Sequence, residues 1–279
     1  MNRRPVFLIT CLCFGFAFFY IPILSIIVFS FNKSRLVSVW GGFSTQWYGK
    51  LFENDQIIEA AKLSLSIALV SATIATILGT MAGIALARFK RFRGRTLFSG
   101  LVTAPLIMPE IITGISSLML FILMADWIGW PGERGFTTVT IAHITFSMTY
   151  VTTIIHARLS STDISIEEAA LDLGSRPWQV LTDITLPVIA PALLSGWLLA
   201  FTISIDDVVI TNFTTGPGAT TLPILIWSKV KLGVTPDINA LATMIILIVG
   251  LLVVTAGIIM HRAEARRERD IQMAINANT

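Results

Sequence analysis

Charge is what this 279-residue chain has least of: 13% of its residues are Asp, Glu, Lys or Arg, against about a quarter in soluble globular domains. Together with 54% apolar residues and a mean hydropathy of +0.78, that scarcity excludes a mainly water-soluble fold. Cysteine is almost missing. Cys11 and Cys13 are the two, set inside a long apolar run at a spacing unsuited to zinc or to a structural disulfide. No Gly-x-x-x-x-Gly-Lys-Ser/Thr segment occurs, which excludes P-loop nucleotide binding by this chain. His, Cys and carboxylate residues show no metal-site spacing, and no nucleophile elbow accompanies a His and an Asp. Repeats, low-complexity tracts and evident inverted symmetry between the halves are also missing. Little is left here for hydrolytic or metal-dependent chemistry.

What the chain has in abundance is uninterrupted hydrocarbon. Nearly charge-free runs cover 6–31, 63–87, 97–125, 137–157, 188–211 and 238–261, and about 20 apolar residues suffice to cross roughly 30 Å of bilayer. The chain therefore reads as an all-α integral membrane protein, a single transmembrane domain over 1–279 with six transmembrane helices. Its one long polar interruption is a loop at 158–187. The Arg3-Arg4 start echoes a twin-arginine signal but lacks a small-residue cleavage site, so the first run is expected to remain as a span.

Thirteen of the 20 Lys and Arg residues fall on one side of a six-span arrangement: Arg3 and Arg4, the cluster from Arg88 to Arg95, Arg158, Arg176, and Arg262 to Arg269. Short basic loops stay cytoplasmic, which places both termini and the 158–187 loop inside. The basic pI of about 9.1 thus reflects topology rather than nucleic-acid binding. Aromatic residues at 40–48 suggest a short interfacial helix near Thr45–Phe52. Pro105 and Pro109 are expected to bend the third span, and Arg262–Asp270 to continue the sixth as a solvated helical tail.

The polar loop has its own grammar. Ser165-Ile166-Glu167-Glu168 has the form of a capping box, with Ser165 as N-cap and Glu168 at N3. Gly174 can close that helix in a left-handed cap, Pro177 suits the start of a second, and Pro187 ends the unit. Two helices this short are not stable alone in water, so the loop calls for an outside partner.

Glu168-Ala169-Ala170, Gly174, Ile184, Leu186 and Pro187, placed between the fourth and fifth spans, resemble the EAA loop of binding-protein-dependent ABC importer permeases. The resemblance implies the type I importer permease fold, with Glu168, Ala169, Ala170, Gly174, Leu186 and Pro187 forming a coupling element that docks on a cytoplasmic ATPase. Phe31–Ser34, Gly42–Tyr48, Ser195–Asp207, Thr215–Gly218 and Gly233–Thr243 are similar to the spermidine/putrescine branch, and within it to the second, putrescine-type permease. That likeness implies a bacterial inner-membrane protein that pairs with a sister permease, two ATPase subunits and a periplasmic polyamine-binding protein. ATP and Mg would sit on the ATPase subunits, leaving this chain no cofactor of its own. Another cargo (ferric iron, thiamine, sulfate) and an ion-coupled secondary carrier are the alternatives.

Acids inside a membrane face a pathway or a partner by default. Glu110, Asp206 and Asp207 are the three here, and recognition of a flexible diamine needs carboxylates for the ammonium groups and apolar or aromatic walls for the stem. Glu110, Ser204, Asp206, Asp207 and Trp47 are therefore the candidate substrate pathway. Each has a plainer alternative. Asp206 and Asp207 can anchor the outer end of the fifth span, Glu110 can bond backbone groups freed by Pro109, and Trp47 can anchor at the headgroups. Adjacent Asp residues point about 100° apart on a helix, so one can face the pore while the other pairs with a neighbouring Lys or Arg. His143, alone on the fourth span, is expected to be packed or hydrogen-bonded rather than a ligand.

Overall fold

The computed structural model describes residues 4–36, 39–89, 91–233, 235–251, 254, 255 and 258. Arg3, Lys90, Val234, the end of the sixth expected span and the tail at Arg262–Asp270 lie outside the described residues. Those described are helical apart from loops and one isolated bridge, Asn32 to Phe43. Among the described residues, five helices are long and apolar enough to cross a membrane, and two shorter apolar ones, Arg95–Ile107 and Pro236–Leu251, join them. The chain divides into two compact units, 1–55 with 229–279, and 56–228.

In the first unit, α1 (Arg4–Ser30) turns its apolar side chains outward, with Phe7, Phe14 and Phe19 all exposed. Cys11 and Cys13 are exposed on the same helix. After α1 the backbone is knotted around Asn32, which is fully buried. Its Oδ1 accepts from the Ser34 and Gly41 amides, and its Nδ2 donates to the Leu36 and Val39 carbonyls. Every side-chain hydrogen-bonding atom of this buried amide is thus satisfied, which is the condition for burying it without penalty. A Cβ on Gly41 would lie 2.9 Å from that of Ser34, so the crossing needs glycine. Phe31 stacks on Phe43 with centroids 5.3 Å apart and leans on Tyr48. The Phe31–Ser34 and Gly42–Tyr48 motifs are thereby the two sides of one turn, followed by α2 (Gln46–Phe52).

The second unit is built on α3 (Asp55–Arg88), α6 (Phe136–Ser160) and α9 (Leu186–Asp206). Ala72, Ala75, Val151, Ile155, Leu159, Ile189 and Ala200 form its core. Small residues set the approach: a Cβ on Gly79 would stand 2.7 Å from Val151 Cβ, and one on Gly83 2.8 Å from Ile155 Cγ2. In a bilayer, close backbone approach of this kind supplies dispersion contact where lipid supplies no hydrophobic drive. Trp197 ties α9 to α3 through Nε1 and Thr73 Oγ1, 3.1 Å apart.

Two expected spans are discontinuous. The run at 97–125 is not one bent helix but α4 (Arg95–Ile107) and α5 (Glu110–Ile128), separated by extended backbone at Met108 and Pro109. Pro109 has no N–H and pushes Met108 out of the helical region, whereas Pro105 sits within α4 without ending it. The fifth starts earlier than 188 and stops sooner than 211. It begins as α8 (Pro177–Val180), widens to a π-helical turn at Leu181–Thr185 and continues as α9, with Pro187 in its first turn. Pro187 therefore does not end the loop; its missing N–H is accommodated by the wide turn that precedes it. Beyond Asp206 the helix breaks and restarts as α10 (Val209–Thr214). The remaining elements are α7 (Ser165–Asp172), α11 (Leu222–Leu232) and α12 (Pro236–Leu251).

Candidate functional site

The loop between α6 and α8 presents α7, an eight-residue helix that could not persist by itself. Its start differs from the expected capping box. Ser165 is the first helical residue, and the Asp163 carboxylate accepts its amide at 3.0 Å. That backbone hydrogen bond holds the Asp163 pKa below the ordinary carboxylate value. The Glu168 side chain makes no hydrogen bond or ion pair among the described residues and is exposed, as is Ala169, while Ala170 is buried. The other end follows expectation. Gly174 has φ +89°, its amide donates to Leu171 O at 2.9 Å and that of Ser175 to Ala170 O at 3.0 Å, the two bonds of a Schellman cap.

The residue that secures α7 is Glu167, which sequence reasoning passed over in favour of its neighbour. Arg88, the last residue of α3, grips it with Nε to Oε2 at 3.0 Å and Nη2 to Oε1 at 2.9 Å. Arg88 Nη1 also donates to Leu159 O on α6, and Thr185 Oγ1 donates to Glu167 Oε1 at 3.0 Å. A forked guanidinium–carboxylate pair fixes orientation as well as distance. One carboxylate thus fastens α7 to the ends of α3 and α6 and to the base of α9. Two large apolar side chains of the loop stay exposed beside Glu168: Leu173 is 88% exposed and Trp178 70%. Leu186 packs partly on the core, and Pro187 is exposed. The signal for the pair was a basic residue ending a span and a second acid beside Glu168, too common a pattern to single out.

The acids of the expected pathway separate into two kinds. Asp207 lies at the break after α9 with its side chain 7% exposed. Its carboxylate accepts from the Ile210 and Thr211 amides at 3.2 and 2.7 Å and from Thr211 Oγ1 at 2.6 Å. It closes the first turn of α10, and its side-chain partner is His143 on α6 (Nε2 to Oδ2, 3.2 Å) rather than the Lys or Arg expected. Ser204 is buried too, between His143 Nδ1 at 2.7 Å and Ser71 Oγ at 2.9 Å. Asp206, by contrast, is exposed at the end of α9, and its carboxylate bonds no other described residue. Glu110 is exposed in the first turn of α5. A Cβ on Gly114, one turn further along α5, would lie 3.3 Å from Ile210 Cα and 2.7 Å from the Phe213 ring. Glu110 is thus carried about 6 Å along α5 from its contact with α10. The fold brings two free carboxylates to neighbouring helix breaks and commits the third to structure.

Trp47 belongs to neither group. It is 6% exposed, donates Nε1 to Asn32 O at 2.7 Å, and has Lys50 Nζ 4.7 Å from its ring centroid. With its donor used and its face covered, it packs against the Asn32 turn.

Residues 75–269 match the family model described as the binding-protein-dependent transport system inner membrane component. The chain belongs to that family. It is 53% identical over 278 residues to the putrescine transport system permease protein PotI of Escherichia coli (strain K12), covering 98% of this chain and 99% of the relative. It is 42% identical over 251 residues to the spermidine/putrescine transport system permease protein PotC of the same strain, covering 90% and 92%. Among solved structures, a bacterial ABC transporter that imports the acidic polysaccharide alginate superposes with a TM-score of 0.68 at 15% identity, over 92% of this chain and 96% of that one. The fold is that of an ABC importer permease, and the family sits in the inner membrane as the multi-pass component of a transporter.

Proposed function

We propose that this permease is one of two membrane subunits of an ATP-driven polyamine importer, with putrescine or spermidine as cargo. The observation that carries this reading is the likeness to a putrescine permease over 98% of this chain and 99% of that relative. The chain would cross the membrane six times, its termini and the α7 loop in the cytoplasm. A sister permease completes the pathway, two ATPase subunits take up ATP and Mg, and a periplasmic polyamine-binding protein delivers the cargo. The exposed phenylalanines of α1 face membrane lipid.

In this scheme α7 seats in a cleft of the ATPase, with Glu168, Ala169 and the Gly174 cap on the docking side. Glu167 and Arg88 pass its displacement to α3, α6 and α9 together. A forked ion pair suits this because it resists rotation as well as separation. Alternation of the two helix breaks between membrane faces then exposes Asp206 and Glu110 to each side in turn. Carboxylates in a low-dielectric chamber attract ammonium groups and disfavour anions.

The test is uptake of labelled putrescine by proteoliposomes that contain the chain with its sister permease, ATPases and binding protein. Expected is uptake that requires ATP and every subunit. Gradient-driven flux by the membrane subunits alone would show a secondary carrier, and ATP-driven uptake of a different cargo to the exclusion of polyamines would refute the substrate.

A further inference from the structure

The break between α9 and α10 poses a problem that the side chains around it solve. Stopping a helix at Asp206 and restarting at Val209 leaves amides of the new first turn without helical partners. Asp207, with extended backbone at φ −65° and ψ 128°, supplies them with a carboxylate. That carboxylate is almost wholly buried in a membrane protein, which is costly unless a further donor meets it. His143, 3% exposed, is that donor.

The hydrogen-bond directions follow from the partners. An ionised carboxylate only accepts, so the 3.2 Å contact makes Nε2 of His143 the protonated nitrogen. Nδ1 is then an acceptor and takes the Ser204 hydroxyl proton at 2.7 Å. Ser71 in turn donates to Ser204 Oγ at 2.9 Å. Thr211 Oγ1, 3.0 Å from Nε2, gives its own proton to Asp207. The donors Ser71, Ser204 and His143 run in a chain that ends on the Asp207 carboxylate, and it joins α3, α9, α6 and the start of α10.

Two free carboxylates depend on this arrangement. Asp206 is the last residue of α9 and is bonded directly to Asp207, so a shift of the break that Asp207 holds carries Asp206 with it. Glu110 rides on α5, which rests on α10 through Gly114 against Ile210 and Phe213. From this geometry we infer that His143 is a positioning residue for cation recognition: acting through Asp207, it holds the α9–α10 break so that the Asp206 carboxylate is presented beside the helix carrying Glu110. The assignment rests on the reading of Asp206 and Glu110 as the diamine pathway.

The experiment measures the affinity of the solubilised complex (both permeases and ATPases, binding protein omitted) for labelled putrescine by equilibrium dialysis. His143→Leu removes both ring hydrogen bonds, and His143→Gln keeps one donor and one acceptor. Asp206→Asn and Glu110→Gln report on the pathway itself. Expected is about tenfold weaker binding for His143→Leu, the scale of one charge-assisted hydrogen bond, with most of it restored in His143→Gln and a comparable loss for Asp206→Asn. A residue that only packs the bundle would lower yield or melting temperature but leave the affinity of assembled complex unchanged. Unchanged affinity in His143→Leu beside a loss in Asp206→Asn overturns the assignment and leaves the pathway standing. Unchanged affinity in both acid variants, or no binding by the wild type, sinks the pathway and the assignment with it. Should His143→Leu fail to assemble, Thr211→Val removes a hydroxyl from the same cluster; about threefold weaker binding supports the assignment and unchanged binding overturns it.

Discussion

Replacing Glu167 by Gln should loosen α7 from the membrane helices without unfolding the protein. The carboxylate receives two bonds from Arg88, at 3.0 and 2.9 Å, and one from Thr185 at 3.0 Å. The side chains of Arg88 and Glu167 are 14% and 16% exposed, so the pair lies between two limits. Exposed ion pairs contribute about 0–1 kcal/mol, whereas removing one partner of a buried pair costs about 3–5 kcal/mol. Gln keeps the shape and one acceptor, which places the loss near 2 kcal/mol. If α7 opens locally, that loss accelerates amide exchange by about 30-fold. Hydrogen–deuterium exchange on the solubilised complex would show this across Ser165–Leu173, with the core amides around Val151 and Ile155 unaffected. Arg88→Gln should produce the same acceleration, and the double variant little more than either single one, because both remove one interaction. In proteoliposomes both variants should hydrolyse ATP with reduced putrescine uptake per ATP. Exchange within about threefold of wild type, or effects that simply add, would refute the idea that this pair fastens the loop.

Gly174→Ala should destabilise the α7 cap by about 1 kcal/mol through the +89° φ alone, since no atom stands within 4 Å of the added Cβ; Gly174→Asn should cost less, and exchange at Leu171–Ser175 measures both. Gly79→Val is expected to force α3 off Val151 and Met148, costing about 1–3 kcal/mol from overpacking and lowering the melting temperature of the detergent-solubilised chain. Trp47→Phe should leave Asn32 O without its donor and lower stability by about 1–3 kcal/mol while putrescine affinity stays at the wild-type value; a weaker affinity would return Trp47 to the pathway.

Long features were legible in the sequence because they depend on composition. The apolar runs mark the helices, and Gly174 marks a left-handed cap since few other residues accept that backbone. The breaks were harder. Pro109 announces a disturbance, but whether a proline bends a helix or parts it depends on what else satisfies the freed carbonyls, as Pro105 and Pro109 demonstrate within one stretch. Asp206 and Asp207 are chemically identical in the sequence, and only the position of His143, more than 60 residues earlier, divides a structural acid from a free one. Likewise Glu167 and Glu168 both suit a helix start. The choice between them was made by Arg88 across three helices, a relation that helical periodicity does not encode. The burial of Trp47 was not legible because an aromatic near a headgroup and an aromatic buried under a turn have the same local sequence.

The wide turn at Leu181–Thr185 sets how α8 is rotated relative to α9. One surplus residue in a helical rod offsets the two sides by about 100°, so the azimuth of Trp178 around the rod is set at a single point. Deleting one of these five residues would turn α8 by one step, like a dial, while α9 kept its seat in the bundle.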